Sequence, residues 1–418
     1  IFTSIYGVVD GLFVSNFAGK TAFAAINLVM PFIMVLGGIG FMIGTGGTAL
    51  VSKTLGEGRQ EEANRYFSML IIMTVILGFF LTTIGIVFAR RVSILLGATD
   101  VMLDDCVIYL RTVLLFISPF MLQNVFQSFL VTAQKPHAGL IVTIIAGLTN
   151  MSLDALFIVV FRWGVAGAAL ATGISQCIGG LLPLILFLGK NDSLLHLVPT
   201  RLEWSPFFLS CTNGMSELMG NISASIVSML YNFQLLNYAG ENGIAAYGVL
   251  MYVQFIFIAV FFGYTIGVGP VIGYHYGAGN HAELKNLLRK SLKLNIITGI
   301  SMTILANLFA GALSRIFVGY DPELYAMTKS AFHIFALSFL VCGINIFASA
   351  FFTALNNGLV SAVISFLRTL VFQVGSVLIL PAFLGLTGIW LSNTFADLMA
   401  MLISIIFLAA MRKRYHYA

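Results

Sequence analysis

The chain has 418 residues and a formal net charge of +5, and 59% of its residues are hydrophobic while only 9% are charged. A soluble domain carries about a quarter charged residues, so this composition excludes a soluble protein. The Lys and Arg residues are scattered through short loops and form no stripe, which argues against nucleic-acid binding.

Apolar runs of about twenty residues, each long enough to cross roughly 30 Å of hydrocarbon as a helix, recur along the chain. Because lipid offers the backbone no hydrogen-bond partners and the runs do not alternate like barrel strands, we predict an all-α integral membrane fold. The chain opens with IFTSIYGVVD, without an initiator Met or a basic segment, so we expect the sequence to begin inside the first helix. The twelve predicted transmembrane helices cover 1–17, 22–51, 66–89, 106–131, 138–161, 165–188, 206–238, 243–272, 290–313, 325–354, 359–383 and 387–410.

An internal repeat at an offset of 221 residues relates the two halves of the chain. We therefore predict two pseudo-symmetric six-helix lobes, residues 1–189 and 206–418, joined by a cytoplasmic linker at 190–205. Such a two-lobed bundle favours transport by alternating access, and a receptor or scaffold that inherited a duplication is the alternative. Matching pairs include Asn16 with Asn237, Gly19 with Gly240, Gly56 with Gly277, Gly58 with Gly279, Glu62 with Glu283, Gly164 with Gly385 and Gly167 with Gly388.

The basic residues indicate the orientation of the helices. With the connection KTLGEGRQEEANR in the cytoplasm, thirteen of the 21 Lys and Arg residues face inside and seven face outside. This excess follows the positive-inside rule and places the C-terminus on the cytoplasmic side of the inner (plasma) membrane.

Several motifs carry a resemblance to a known family: VVDGLFVSNFAG, SKTLGEGRQEEA with its counterpart GYHYGAGNHAEL, NMSLDALFI, and GVAGAALATGISQ. With them the chain resembles the multidrug and toxic compound extrusion (MATE) family over essentially all twelve helices. The resemblance implies secondary active export of amphipathic or cationic small organic compounds in exchange for H⁺ or Na⁺, with no other cofactor. We expect a monomer. The alternative within transport is a lipid-linked sugar flippase of the same superfamily, for which extra helices and a basic cavity would be expected.

The sequence offers no enzyme site. The run GGIGFMIGTGG lies inside a predicted helix and lacks the Lys of a phosphate-binding loop, so we interpret its glycines as a surface for close helix packing. The six His residues are dispersed, and the four Cys residues show no metal-ligand spacing. Without ATP hydrolysis, the energy for transport must come from an ion gradient.

Four acidic residues fall inside predicted helices, where each carboxylate costs a few kcal/mol unless it has a partner, a proton or water. They are Asp10, Asp154, Glu217 and Asp397.

Counting residues from the helix ends places a polar layer in the N-terminal half. Asp10 and Asp154 both come out roughly 12 Å below the outer surface, Thr172 comes out at the same level, and Asn150 lies one turn from Asp154. These four residues match, one for one, the cation site that the resemblance implies. We predict that they bind the coupling ion, either H⁺ or Na⁺, and that two carboxylates in so dry a site cannot both ionise cheaply. A purely structural hydrogen-bonded clamp is the alternative.

The C-terminal half does not duplicate this site, since the repeat places Tyr231, Val371, Gly375 and Asn393 at the equivalent positions. Some relatives place a Glu in helix seven and an Asp in helix ten, but helix ten here offers only Asn345, which argues against a second site of that kind. We predict instead a structural ion pair between Glu217 and Arg368. Asp397 is either a rival partner for Arg368 or a solitary protonatable group.

Aromatic and thioether side chains suit a cavity that accepts varied flat cations, through dispersion and cation–π contact. On this basis we predict a substrate cavity that includes Met30, Met34, Tyr231, Met251 and Tyr252.

Overall fold

The computed structural model describes residue 10 and residues 13–189, 192–319 and 321–417, without the side chains of residues 15, 16 and 20. Every regular element in these ranges is helical, which confirms the predicted all-α fold. The first half comprises the π-helical segment Val14–Ala18, α1 (Lys20–Gly56), α2 (Gln60–Leu95), α3 (Leu103–Leu114), α4 (Ile117–Thr132), α5 (Pro136–Asp154) continuing into the π-helical segment Ala155–Val160, α6 (Gly164–Leu188) and α7 (Trp204–Asn213). The second half comprises α8 (Met215–Gly277), α9 (His281–Val318), α10 (Pro322–Phe335), a 3₁₀ turn Ala336–Ser338, α11 (Phe339–Ala354), α12 (Gly358–Phe366), the π-helical segment Leu367–Phe372, α13 (Gln373–Ala410) and α14 (Arg412–Tyr415).

Within the described residues, the number of membrane spans agrees with the number predicted from the sequence. Eight helical stretches are long and apolar enough to cross a membrane, and the pair α3 and α4, bent by 56°, makes a ninth. Two of the eight, of 63 and 53 residues, are each broken by a non-helical glycine into two spans. The predicted first helix, 1–17, lies mostly outside the described residues.

Left-handed glycines mark the ends of spans at equivalent places in both halves. Of the seven described glycines with a positive φ, which other L-residues rarely adopt, six form three pairs that lie 221 residues apart, and Gly97 has no such partner. The repeat in sequence is thus a repeat of turn geometry. The pairs are Gly19 and Gly240 (φ 96° and 62°), Gly58 and Gly279 (78° and 66°), and Gly164 and Gly385 (54° and 56°).

The chain forms two compact units, residues 1–214 and 215–418. The predicted linker at 190–205 lies before this boundary, because α7 packs within the N-terminal unit. A Cβ at Gly46 on α1 would lie 1.9 Å from the carbonyl oxygen of Ser210, and a Cβ at Gly214 would lie 1.9 Å from that of Met42. The predicted seventh helix, 206–238, is therefore broken at Gly214, and its first part lies against α1.

The glycine-rich face of α1 also packs against α4. A Cβ at Gly40 would lie 2.8 Å from the backbone of Met121, and one at Gly44 would lie 3.0 Å from the Cα of Val125. The interpretation of GGIGFMIGTGG as a surface for close helix packing is confirmed.

Each unit is closed at one end by a non-helical or short helical segment that folds back on it. In the N-terminal unit, the segment 192–203, which we call the N-terminal strap, lies along the start of α2: the backbone N–H of Val198 donates to Ser68 Oγ (2.8 Å) and that of His196 to Asn64 Oδ1 (3.1 Å). In the C-terminal unit, residues 411–417, the C-terminal strap, pack against the α8–α9 turn through the buried Tyr415 and Tyr417.

Candidate cation-binding site

The structure brings Asp10 and Asp154 together. Asp154 is fully buried at the end of α5, where the helix passes into a π-helical segment, and the two carboxyl groups lie within hydrogen-bonding reach of each other. As carboxylates neither group can donate, and both oxygens of Asp154 and Oδ1 of Asp10 have no hydrogen-bond partner among the described residues. One proton or one small cation between them would satisfy both groups.

Three further polar side chains lie around this pair, one on α5 itself and one each on α3 and α6. Asn150 is 2% exposed on α5, one turn before Asp154, and its Oδ1 has no partner among the described residues. On α3, the fully buried Tyr109 places its hydroxyl within hydrogen-bonding reach of Thr172 on α6 and close to both carboxylates. The candidate site therefore contains Tyr109 in addition to the four residues that the sequence predicted.

Among the described residues, no basic side chain forms an ion pair with either carboxylate. The ion pairs of the described residues involve Glu57, Glu62 and Asp397, and none of them includes Asp10 or Asp154. In a low-dielectric site two such carboxylates repel each other unless a cation or proton lies between them. The set of carboxylate, amide and hydroxyl oxygens suits a proton or a hard cation such as Na⁺.

Sequence reasoning missed Tyr109 because nothing in its local pattern singles it out. It follows the spacing of the buried apolar residues Cys106, Leu110 and Val113 on α3, so it reads as an ordinary core aromatic. Its hydroxyl becomes part of the site only through the way α3 packs on α6, which a residue count along one helix does not give.

In the C-terminal unit, Arg368 pairs with Asp397 and not with Glu217. Arg368 Nε donates to Asp397 Oδ1 over 2.7 Å. Glu217 lies in the first turn of α8, where the helix dipole favours a carboxylate, and it forms no ion pair with any described residue. The predicted Glu217–Arg368 pair is wrong, because the break at Gly214 moves Glu217 from mid-helix to a helix start.

The C-terminal counterpart of the cation site is neutral. Tyr231 is fully buried and stacked on Tyr247, with ring centroids 4.7 Å apart and planes 6° apart. Nearby, Gln373 Nε2 donates to Asn393 Oδ1 over 2.8 Å. Tyr231 therefore lies in the core of its unit and does not line an open cavity in this structure, contrary to our prediction.

The other predicted cavity residues differ in exposure. Met34 on α1 and Tyr252 on α8 are 43% and 46% exposed, and Met30 and Met251 are half-buried. The ring of Tyr252 stacks on Phe317, with centroids 6.2 Å apart. A role for these four in substrate binding stays a prediction.

Sequence comparison relates the chain to one family of membrane proteins. A family model described as MatE matches residues 1–156 and 218–379. The multidrug export protein MepA of Staphylococcus haemolyticus (strain JCSC1435) is 25% identical over 417 residues, which cover 98% of this chain and 90% of that protein. MepA of Staphylococcus aureus (strain NCTC 8325) is 24% identical over 424 residues, with the same coverage.

Solved structures share the fold at lower identity. A crystal structure of a MATE protein in complex with MaL6 has a TM-score of 0.94 at 21% identity and covers 100% of this chain and 94% of its own. An outward-facing structure of a multidrug resistance MATE family transporter of the MOP superfamily also has a TM-score of 0.94 at 21% identity, covering 100% and 93% of the two chains.

Proposed function

The chain belongs to the MatE family, and from this premise we propose that it is a secondary active multidrug exporter, which antiports amphipathic or cationic small organic compounds against H⁺ or Na⁺ by alternating access. The observation that carries the proposal is the Asp10–Asp154 pair, two embedded carboxylates in contact without a basic partner among the described residues. The names of the MepA relatives support multidrug export as the activity.

The pair couples transport to an ion gradient as follows. With one H⁺ or Na⁺ between the carboxylates the site carries a single negative charge, and without that cation the two groups repel each other and strain the packing of α5. The conformation that favours the bound cation therefore differs from the one that favours the empty pair. If substrate binds the second conformation better, substrate and cation reduce each other's affinity by the same factor, which is the reciprocity that antiport requires.

The remaining features of the proposal concern the setting of the protein. It works as a monomer in the plasma membrane with its C-terminus in the cytoplasm, and it uses the coupling ion without any other cofactor. It has no catalytic role. The substrates are small molecules that partition into the bilayer, because an amphipathic compound reaches a membrane exporter from the lipid as well as from water.

The test uses purified protein in proteoliposomes, with the amphipathic cation ethidium as the probe. A pH gradient and a Na⁺ gradient are imposed in separate experiments. We expect one of the two to drive ethidium transport, and that gradient identifies the coupling ion. Asp154→Asn keeps the size of the side chain and much of its hydrogen bonding but removes the charge, so we expect gradient-driven transport to fall at least tenfold.

The matched control is Asp104→Asn, which neutralises an exposed carboxylate in the same unit and should leave transport unchanged. Circular dichroism and size-exclusion chromatography must show both variants folded. Wild-type rates in Asp154→Asn, or transport that ignores both gradients, would contradict the proposal.

A further inference from the structure

The two units treat their embedded charges in opposite ways. The N-terminal unit holds two carboxylates in contact with each other and with no basic partner among the described residues. In the C-terminal unit Asp397 is bound to an arginine, and Glu217, at the start of α8, forms no ion pair with any described residue. At the repeat offset, Arg368 and Asp397 fall on Gly147 and Gln176. Both members of the pair therefore belong to the second half only, just as both members of the acidic pair belong to the first.

The Arg368–Asp397 pair is held by three elements. Arg368 lies in the π-helical segment before α13, Asp397 lies on α13, and Asn345 on α11 donates from Nδ2 to the backbone oxygen of Asp397 over 2.8 Å. Ser404 Oγ in turn donates to Asn345 Oδ1 over 3.2 Å. Asp397 is 3% exposed, so the pair is fixed inside the unit rather than free in solvent.

The net charge of the Arg368–Asp397 pair differs from that of the Asp10–Asp154 pair. Arginine stays protonated in proteins, so Arg368 supplies a permanent positive charge 2.7 Å from the Asp397 carboxylate, and the pair sums to zero. The other titratable side chains near it, Cys342 and Tyr231, are uncharged at neutral pH. Although Asp397 Oδ2 has no hydrogen-bond partner among the described residues, the charge of this carboxylate is already offset, in contrast to the charges of Asp10 and Asp154.

We propose that Arg368 is a tethered counter-cation that occupies Asp397, so that Asp397, unlike the N-terminal pair, takes up no coupling ion. Arg368 is thus a positioning residue that sets how many ions move per substrate. The effect of Arg368 on transport rests on the proposed function. The number of cations bound at equilibrium can be measured whether or not the protein is an exporter.

The test counts cations at equilibrium on the purified full chain in detergent, without substrate. Protons are counted by potentiometric difference titration, and Na⁺ is counted by binding of ²²Na⁺ at alkaline pH. We expect Arg368→Gln to gain about one exchangeable cation per chain, because Asp397 then lacks its partner. Arg368→Lys keeps the charge and should keep the wild-type count.

The double variant Arg368→Gln with Asp397→Asn removes both charges and should return the wild-type count. If Arg368→Gln alone does not fold, the double variant still tests the inference, because it leaves no unpaired charge buried at this position. A double variant that binds one cation fewer than wild type would show that Asp397 exchanges ions normally and would overturn the inference. A folded Arg368→Gln with the wild-type count would overturn it as well.

Loss of cations in Asp10→Asn and Asp154→Asn reports separately on the proposed function. If those variants keep the wild-type count while Arg368→Gln gains a cation, the proposed coupling site fails and the role of Arg368 stands.

Discussion

At the scale of single residues, Gly46 and Gly214 allow α1 and α7 to cross with their backbones in contact. We expect Gly46→Ala to lower the free energy of unfolding by about 1–3 kcal/mol, because the new methyl group would overlap the backbone of α7. Gly220→Ala is the control: a Cβ there meets no atom within 4 Å, and alanine favours the helix by about 0.5–1 kcal/mol.

Thermal unfolding in detergent measures both variants. The expected result is a lower Tm for Gly46→Ala and an equal or higher Tm for Gly220→Ala. Equal shifts in the two variants would mean that the crossing tolerates a methyl group.

The residues of the cation site were accessible from the sequence to different degrees. Asp10 and Asp154 were found because charge in an apolar helix is conspicuous and their distances from the outer turns agree. For Arg368 the sequence offers Asp397 only as a rival partner and favours Glu217, because depth counting places Glu217 within a helix that in fact begins after Gly214. Depth in the membrane cannot decide which of two acids on different helices pairs with Arg368. Asp397 is the partner because of the way α13 packs on the π-helical segment that carries Arg368.

At the scale of elements, the C-terminal strap is held mainly by two tyrosines. Tyr417 is 1% exposed, its ring meets that of Phe351 edge-on at 5.1 Å, and its hydroxyl donates to the carbonyl of Leu408 over 2.9 Å. We expect Tyr417→Ala to release the strap, because the variant loses both this packing and this hydrogen bond.

Limited trypsin digestion measures the release, since the strap contains Arg412, Lys413 and Arg414. Cleavage at these sites should become at least tenfold faster in Tyr417→Ala. Leu402→Ala, which truncates an exposed side chain on α13, keeps the same cleavage sites and should stay close to wild type. Equal rates in the two variants would show that Tyr417 does not hold the strap.

The order of helices was predictable from hydrophobicity, but two breaks within them were not. The bend between α3 and α4 falls inside a continuous apolar run, where composition does not change. The break at Gly214 lies in the more polar stretch 210–217, but counting residues from the start of the apolar segment carried the predicted helix through it. The π-helical segments beside Asp154 and around Arg368 likewise leave no trace in the sequence, because a π turn shifts hydrogen bonds without needing a special residue.

At the scale of the whole molecule, the distribution of Lys and Arg predicts which side each loop faces. In a chain whose four cysteines are replaced by alanine, Lys413→Cys should react with a membrane-impermeant maleimide only after the cells are opened. Thr99→Cys, in the exposed turn between α2 and α3, should react in intact cells. The reverse pattern would invert the proposed orientation.

The two straps bear on the ancestry of the chain. The N-terminal strap is a structural part of the first half, and it is also the start of the peptide that leads through α7 into the second half. A tandem gene duplication therefore required no newly evolved connector, because the segment that already folded back along the first copy had only to continue into the second. The segment that closes the first half is thus also the first part of its connection to the second.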